Sequence, residues 1–234
     1  MWLRTINKNE PLLVITFDDG LITNYTKAFP MMTSRGIKGT SYLINYYYDV
    51  LHLTNYMNFE QITEMINAGW DMQCHTYSHP YMGETSPQNA YQQLVKNNDV
   101  MKKENLPLFK HIATPFGSWD YRNIRLFKQR RKSHRATQIT KLSLEKLENI
   151  DIYEIGAYYG DIESEIKLET FKGYIDSAIQ NGTILVVYWH VINEAREQLF
   201  EEFLDYVVSS GIKTITHSEL YERFKLKNYN HEFL

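Results

Sequence analysis

Short apolar runs of β type alternate along this chain with longer stretches whose apolar positions recur at helical spacing. The first run, at 12–17, reads Leu-Leu-Val-Ile-Thr-Phe. It is almost wholly apolar, as expected of a strand covered on both faces. Comparable runs at 40–44, 70–74, 110–114, 183–189 and 212–216 predict further strands, and fainter ones fall at 136–139 and 153–158. The intervening spacing predicts helices over 22–34, 59–68, 87–104, 121–130, 168–180 and 196–209, with Ser218 capping a short final helix. Asn58 and the pair Ser86-Pro87 are start signals, and Gly36, Gly69, Gly182 and Gly211 follow helix ends. Seven or eight strands, each followed by a helix or long loop, imply an α/β fold of repeated βα units around a largely parallel sheet. No Gly/Ser linker, Pro-rich stretch or charge block divides residues 1–234, so one domain is expected.

Composition narrows the function classes. The 25 basic and 28 acidic residues leave a formal net charge of −3, which offers no strong positive field to phosphate, so no nucleic-acid partner is expected. No run approaches the ~18 apolar residues of a membrane-crossing helix. The first eleven residues show no charged segment followed by an apolar stretch, so no secretory signal is read there and the location stays open. The chain is cytoplasmic as written, and extracellular or cell-wall-associated if an export signal has been removed. Cys74 is the lone cysteine, which rules out an intramolecular disulfide. Eighteen tyrosines and four tryptophans suit stacking on sugar rings better than gripping phosphate.

Chemistry gathers where strands end. Asp18-Asp19-Gly20 follows the first strand, His75-Thr76-Tyr77-Ser78-His79 the third, and His190 the long strand at 183–189. Reactive groups of βα barrels sit in the loops after strand C-termini. Two histidines four apart can share one face of a helical turn and point at one ion, although a core or surface pair reads equally well in isolation. A carboxylate from the first strand would complete a two-histidine, one-carboxylate catalytic metal set. Two adjacent carboxylates make an ordinary Asx turn with glycine, or else divide the labour, one on a metal and one free as a base. His190 can serve as a general acid or as a hydrogen-bonded structural histidine. Thr114-Pro115-Phe116-Gly117 is a plain turn, or a backbone N–H aimed at an oxyanion. His52, His111, His134, His217 and His231 lack such company and read as structural or surface residues.

Taken in order, these segments resemble the polysaccharide deacetylases, the carbohydrate esterase group that includes the chitin and peptidoglycan deacetylases. Thr16-Phe17-Asp18-Asp19-Gly20, His75-Thr76-Tyr77-Ser78-His79, Thr114-Pro115-Phe116-Gly117 and the strand running from Leu185 to His190 carry the likeness, from Leu12 to about Phe224. The resemblance implies a distorted (β/α)7 barrel. It implies Asp18 as general base, Asp19, His75 and His79 as ligands of a divalent metal (zinc first, with cobalt or nickel as alternatives), His190 as general acid and the Phe116 N–H as an oxyanion donor. Pro115 and Trp189 are expected to contact a polysaccharide or oligosaccharide substrate bearing N-acetylglucosamine. An esterase or small-amide hydrolase on the same fold, and a sugar-binding relative without catalysis, are the rival readings. Two departures stand out. Many members of the family carry an arginine where this chain has Ala113, a change that leans toward the exopolysaccharide branch acting on poly-N-acetylglucosamine. The usual aspartate partner of the acid histidine is also displaced, with Asp161 as its stand-in. Oligomeric state is not legible.

Overall fold

A computed structural model describes residues 10–137, 145–161 and 167–229. Its core is one parallel sheet: β1 (Leu12–Phe17), β2 (Thr40–Leu43), β3 (Asp71–Cys74), β4 (His111–Ala113), β5 (Ser133–Arg135), β6 (Tyr158–Tyr159), β7 (Ile184–Trp189) and β8 (Lys213–Thr214). The order is β5-β4-β3-β2-β1-β7-β6, with β8 also on β1. Ile155 bridges to Arg135 while Tyr158 and Tyr159 pair with β7, so the segment leading into β6 links the two ends of the curled sheet. The α/β architecture is the expected distorted (β/α)7 barrel.

The wholly apolar β1 is explained by where its two faces go. Leu13, Ile15 and Phe17 pack into the layer between sheet and helices, with Leu185, Val187 and Trp189 of β7 beside them. Leu12 and Val14 join Val186, Tyr188, Ile152 and Ile155 in a second cluster inside the curl. Both faces of β1 are therefore dry, and the strand delivers Asp18 and Asp19 to the rim where the packed layers stop.

Around the sheet lie α1 (Phe29–Thr33), α2 (Asn45–Asp49), α3 (Phe59–Asn67), α4 (Pro87–Lys103), α5 (Tyr121–Arg130), α6 (Leu168–Asn181), α7 (Glu194–Ser210) and α8 (His217–Tyr229). Asn58 closes a capping box with Gln61, and Ser86 accepts from Asn89 N at 3.3 Å, as their sequence signals indicate. The helix expected over 22–34 is instead a π-turn at Asn24–Ala28 followed by α1. Pro30 has no N–H to continue an α-helical ladder back to Thr26, so the preceding turn widens. The final helix is capped by Thr216, not Ser218: Thr216 Oγ1 accepts from Glu219 N while Glu219 Oε2 accepts from Thr216 N. Ser218 is engaged by Asp71, bonding it through both N and Oγ at 2.9 Å. The strand expected near 136–139 lies earlier, at β5, and part of the expected range falls outside the described residues.

No helix among the described residues is long and apolar enough to cross a membrane. One close approach is diagnostic of the packing. A Cβ on Gly160 would collide with the Trp189 indole, which is itself sandwiched among Phe171, Phe200 and Phe203. Gly160→Ala should therefore cost about 1–3 kcal/mol of stability, as overpacking does elsewhere. Thermal denaturation should show a lowered midpoint, and an unchanged one would mean the indole moves freely.

Candidate active site

Three strand ends meet at the rim. Asp19 Oδ1 lies 3.4 Å from His75 Nε2 and 3.2 Å from His79 Nε2. Their candidate ligand atoms all fall within 4.8 Å of one another. His75 Nδ1 sits 2.9 Å from the Ala113 carbonyl oxygen, which can only accept, so Nδ1 carries the proton and Nε2 turns a lone pair to the cluster. Burial holds the His79 imidazole below its usual value, keeping it in the neutral, ligating form despite the Asp19 charge. Burial opposes charge on Asp19 as well, yet the close approach of the His75 and His79 rings holds the carboxyl far below the usual carboxylate range. Asp19 Oδ1 is buried and accepts no hydrogen bond. An orphaned carboxylate oxygen facing two imidazole lone pairs is a donor set that a divalent cation satisfies, and the residues fit such an ion.

The two histidines are not on a helical turn. Thr76 and His79 both have left-handed backbones (φ 65° and 62°), and the loop between them is pinned from α4. Gln93 Oε1 accepts from Tyr77 N and Ser78 N at 3.0 and 2.8 Å. Asp19 and Phe116 are left-handed too, at φ 70° and 58°. Non-glycine residues in this region cost about 1–3 kcal/mol each and persist where function holds them.

Asp18 is separate from that cluster. Its side chain turns inside the curl and forms a bidentate pair with Arg135 of β5, Nη2 to Oδ2 at 2.6 Å and Nη2 to Oδ1 closer still. Arg135 is fully buried, its guanidinium between the rings of Tyr42 and Tyr188 at 5.0 and 4.7 Å from their centroids. Sequence reasoning missed this arginine. Ala113 pairs in register with Arg135 across β4 and β5, so the guanidinium that Ala113 does not supply comes from the neighbouring strand. The one signal was an arginine in a short polar segment, Ser133-His134-Arg135, that carries no strand pattern.

Tyr42 links this pair to a buried polar chain. Its hydroxyl lies 2.7 Å from His217 Nδ1, His217 Nε2 lies 2.6 Å from Ser133 Oγ, and Ser133 Oγ lies 2.7 Å from His111 Nδ1. Burial pushes His111 down to about 3 and His217 well below its ordinary value, so both are neutral structural groups, as expected.

His190 follows β7 and meets Asp161, which accepts from His190 N at 2.5 Å and Val191 N at 2.7 Å and lies 3.1 Å from His190 Nδ1. Burial acts to lower the imidazole's value, but the Asp161 bond and the charges of Asp18, Asp161 and Asp19 outweigh it and raise it to about 9. The stand-in assigned to Asp161 is thus the observed partner of His190. Two substrate-contact expectations need correction. Trp189 is fully buried, held by aromatic packing, and Pro115 is buried as well. Neither presents a face to solvent; the exposed rings beside them are Phe116, 54% accessible, and Tyr81, 51% accessible.

The polysaccharide deacetylase family model matches residues 5–131, just over half of the chain, and the chain belongs to that family. It is 26% identical over 112 residues to the putative polysaccharide deacetylase YxkH of Bacillus subtilis strain 168, a match covering 48% of this chain and 39% of that protein. The chain therefore aligns with well under half the length of that relative. Among solved structures, the Xyl-CE4 domain of a multidomain xylanase from the hindgut metagenome of Trinervitermes trinervoides superposes with TM-score 0.64 at 18% identity, over 92% of this chain and 91% of that one. A CE4 family pseudoenzyme from Bacillus anthracis superposes with TM-score 0.66 at 14% identity, over 93% of this chain and 67% of that one. These likenesses establish the fold, and a pseudoenzyme among them shows that the fold by itself does not guarantee turnover.

If the three-residue cluster holds a cation, His75→Ala and Asp19→Ala should each abolish stoichiometric zinc, cobalt or nickel binding, as read by elemental analysis after dialysis. Far-ultraviolet circular dichroism should stay native. Retention of one ion per chain by either variant would remove the cluster as the metal site.

Proposed function

We propose that the chain hydrolyses N-acetyl groups on an N-acetylglucosamine-containing polysaccharide. What carries this reading is the separation of two adjacent carboxylates into different jobs. Asp19 faces His75 and His79, while Asp18 is engaged by Arg135 and stays outside the donor set. A divalent metal bound at Asp19, His75 and His79 would supply Lewis acidity toward the acetyl carbonyl and the attacking water. Asp18, fixed by the guanidinium, accepts the proton of that water. The oxygen adds to the carbonyl carbon, and the Phe116 N–H assists the charge that develops on the carbonyl oxygen. The C–N bond then breaks as His190 protonates the departing nitrogen, since an amine leaves poorly as an anion. Acetate and a free amine are the products.

His190 is suited to the acid role because Asp161 keeps it charged through neutral pH. A binding-only protein has no use for a histidine held protonated beside a carboxylate base, which weighs against the non-catalytic alternative. An esterase or small-amide hydrolase would share this machinery, so substrate decides between those readings. Arg135 supplies the guanidinium against Asp18, and whether Ala113 marks the poly-N-acetylglucosamine branch is read from the polymer the chain deacetylates. The direct test is acetate release from chitin oligomers, poly-N-acetylglucosamine, peptidoglycan and acetylxylan. Release from the N-acetylated glycans supports the proposal, and release from acetylxylan alone makes the chain an esterase.

Asp18→Asn should keep the metal and lose about 10²–10⁴-fold in turnover, the span general base catalysis covers. Near-normal turnover would exclude Asp18 as the base. The acid is the protonated imidazole, so activity should be present below pH 9 and fall as pH rises through about 9. Asp161→Asn should move that alkaline limb down toward the ordinary histidine value of ~6.5. A limb that stays in place would disconnect Asp161 from the acid.

The arginine can be tested by moving it. Arg135→Ala should lower turnover with little change in KM, because the guanidinium touches the base and not the substrate. In that background Ala113→Arg, on the paired strand position, should restore part of the loss. Failure of the second change in a folded protein would mean that Arg135 acts through packing alone.

A further inference from the structure

The end of the curl away from the rim carries a hydrogen-bonding group that the fold leaves open. β4 runs from His111 to Ala113, and the Ala113 carbonyl is the one that meets His75 at the rim. His111 therefore sits at the opposite, N-terminal end of that strand. It is only 1% exposed, yet it lines a cleft of about 480 Å³. Lys213 of β8 and Arg223 of α8 also line this cleft, and both are ion-paired to Glu10.

The buried chain that ends at His111 has a direction. Tyr42 is wholly buried, and its hydroxyl has one hydrogen-bond partner among the described residues, His217 Nδ1. A proton sent elsewhere would be an unpaired donor in a dry interior, so Tyr42 donates to Nδ1. Burial keeps His217 neutral, so its one N–H is at Nε2 and goes to Ser133 Oγ. Ser133 has its own proton to give, and His111 Nδ1 receives it. His111 is neutral as well, which places its only N–H on Nε2. That N–H donates to no atom among the described residues. The two ring nitrogens face away from each other, so with Nδ1 turned inward to Ser133, Nε2 faces the cleft.

The charges acting on this ring are those of Lys110, Arg131 and Lys132, all positive. Lys110 is exposed at the cleft and makes no ion pair among the described residues. The carboxylates that line the cleft are engaged elsewhere. Glu219 Oε2 accepts from Thr216 N at 2.8 Å, and Glu222 Oε2 lies 3.2 Å from Lys225 Nζ.

We propose that this cleft is a second ligand site, remote from the reaction, which takes a small oxyanion (a carboxylate or phosphate group) on His111 Nε2–H and Lys110 Nζ. An N–H in a positive field is best matched by a charged acceptor, and charge-assisted hydrogen bonds are the stronger kind. Lys213 and Arg223, already paired with Glu10, bound the site without adding free charge, so it fits one small anion and not a polyanion. The site does not depend on the proposed function.

The test follows the His111 ring in protein labelled with nitrogen-15 histidine, its signals assigned by their loss in His111→Phe. The parent is titrated with inorganic phosphate and, separately, with acetate, sodium chloride holding the ionic strength constant. The spectrum should show the proton on Nε2, and at least one anion should move that signal saturably; the tighter binder names the group. Lys110→Glu changes an exposed side chain and should weaken the titration about tenfold by placing a like charge at the cleft. Either anion can also meet a metal at the rim, and the dependence on Lys110 separates the two places. A proton on Nδ1, a signal that neither anion moves, or an equal titration in Lys110→Glu overturns the site.

Discussion

A strand dry on both faces cannot end in two adjacent carboxylates unless each finds its own positive partner, and the arrangement of the rim follows from that constraint. Asp18 is only 1% exposed and would be prohibitively costly as a lone charge; Arg135, 0% exposed, neutralises it from four strands away across the curl. Among the described residues Asp19 is approached by two imidazoles, at 3.4 and 3.2 Å, and not by an arginine, a donor set that a divalent ion would satisfy. Breaking the Arg135–Asp18 pair by removing one partner would strand a buried charge, so the two residues stand or fall together.

The same constraint gives the interior of the curl its polar character. Tyr42 and Tyr188 flank the guanidinium, and the Tyr42–His217–Ser133–His111 chain satisfies the hydroxyl below it. The barrel thus has a lower layer of Leu12, Val14, Val186 and Ile215, an ion pair with its aromatic walls above, and the reactive rim on top. Each upward step trades hydrophobic burial for electrostatic definition. At the rim, backbone strain at Asp19, Thr76, His79 and Phe116 aims side chains that relaxed turns would scatter.

Much of this was legible in the residues. The strand runs, the helix caps at Asn58 and Ser86, and the positions of Asp19, His75, His79 and His190 at strand ends all come from local pattern, because burial on two faces writes itself as continuous apolar sequence. Arg135 was not legible. It sits in a three-residue strand of Ser, His and Arg whose partners lie up to 117 positions away, and no local period marks such a contact. Trp189 misled for the complementary reason: an aromatic beside an active-site histidine reads as a sugar platform, but strand alternation turns its indole into the sheet–helix layer, against Phe171 and Phe200. Phe116 and Tyr81, in irregular loops, take the exposed positions.

The central claim is that the two neighbouring aspartates do different work. Anomalous diffraction from crystals grown with zinc tests it most directly. The account requires a single strong peak about 2.0–2.2 Å from Asp19 Oδ1, His75 Nε2 and His79 Nε2, with Asp18 still on Arg135 and outside the coordination sphere. A peak coordinated by Asp18, or an ion bound elsewhere with Asp19 turned away from the imidazoles, would contradict it.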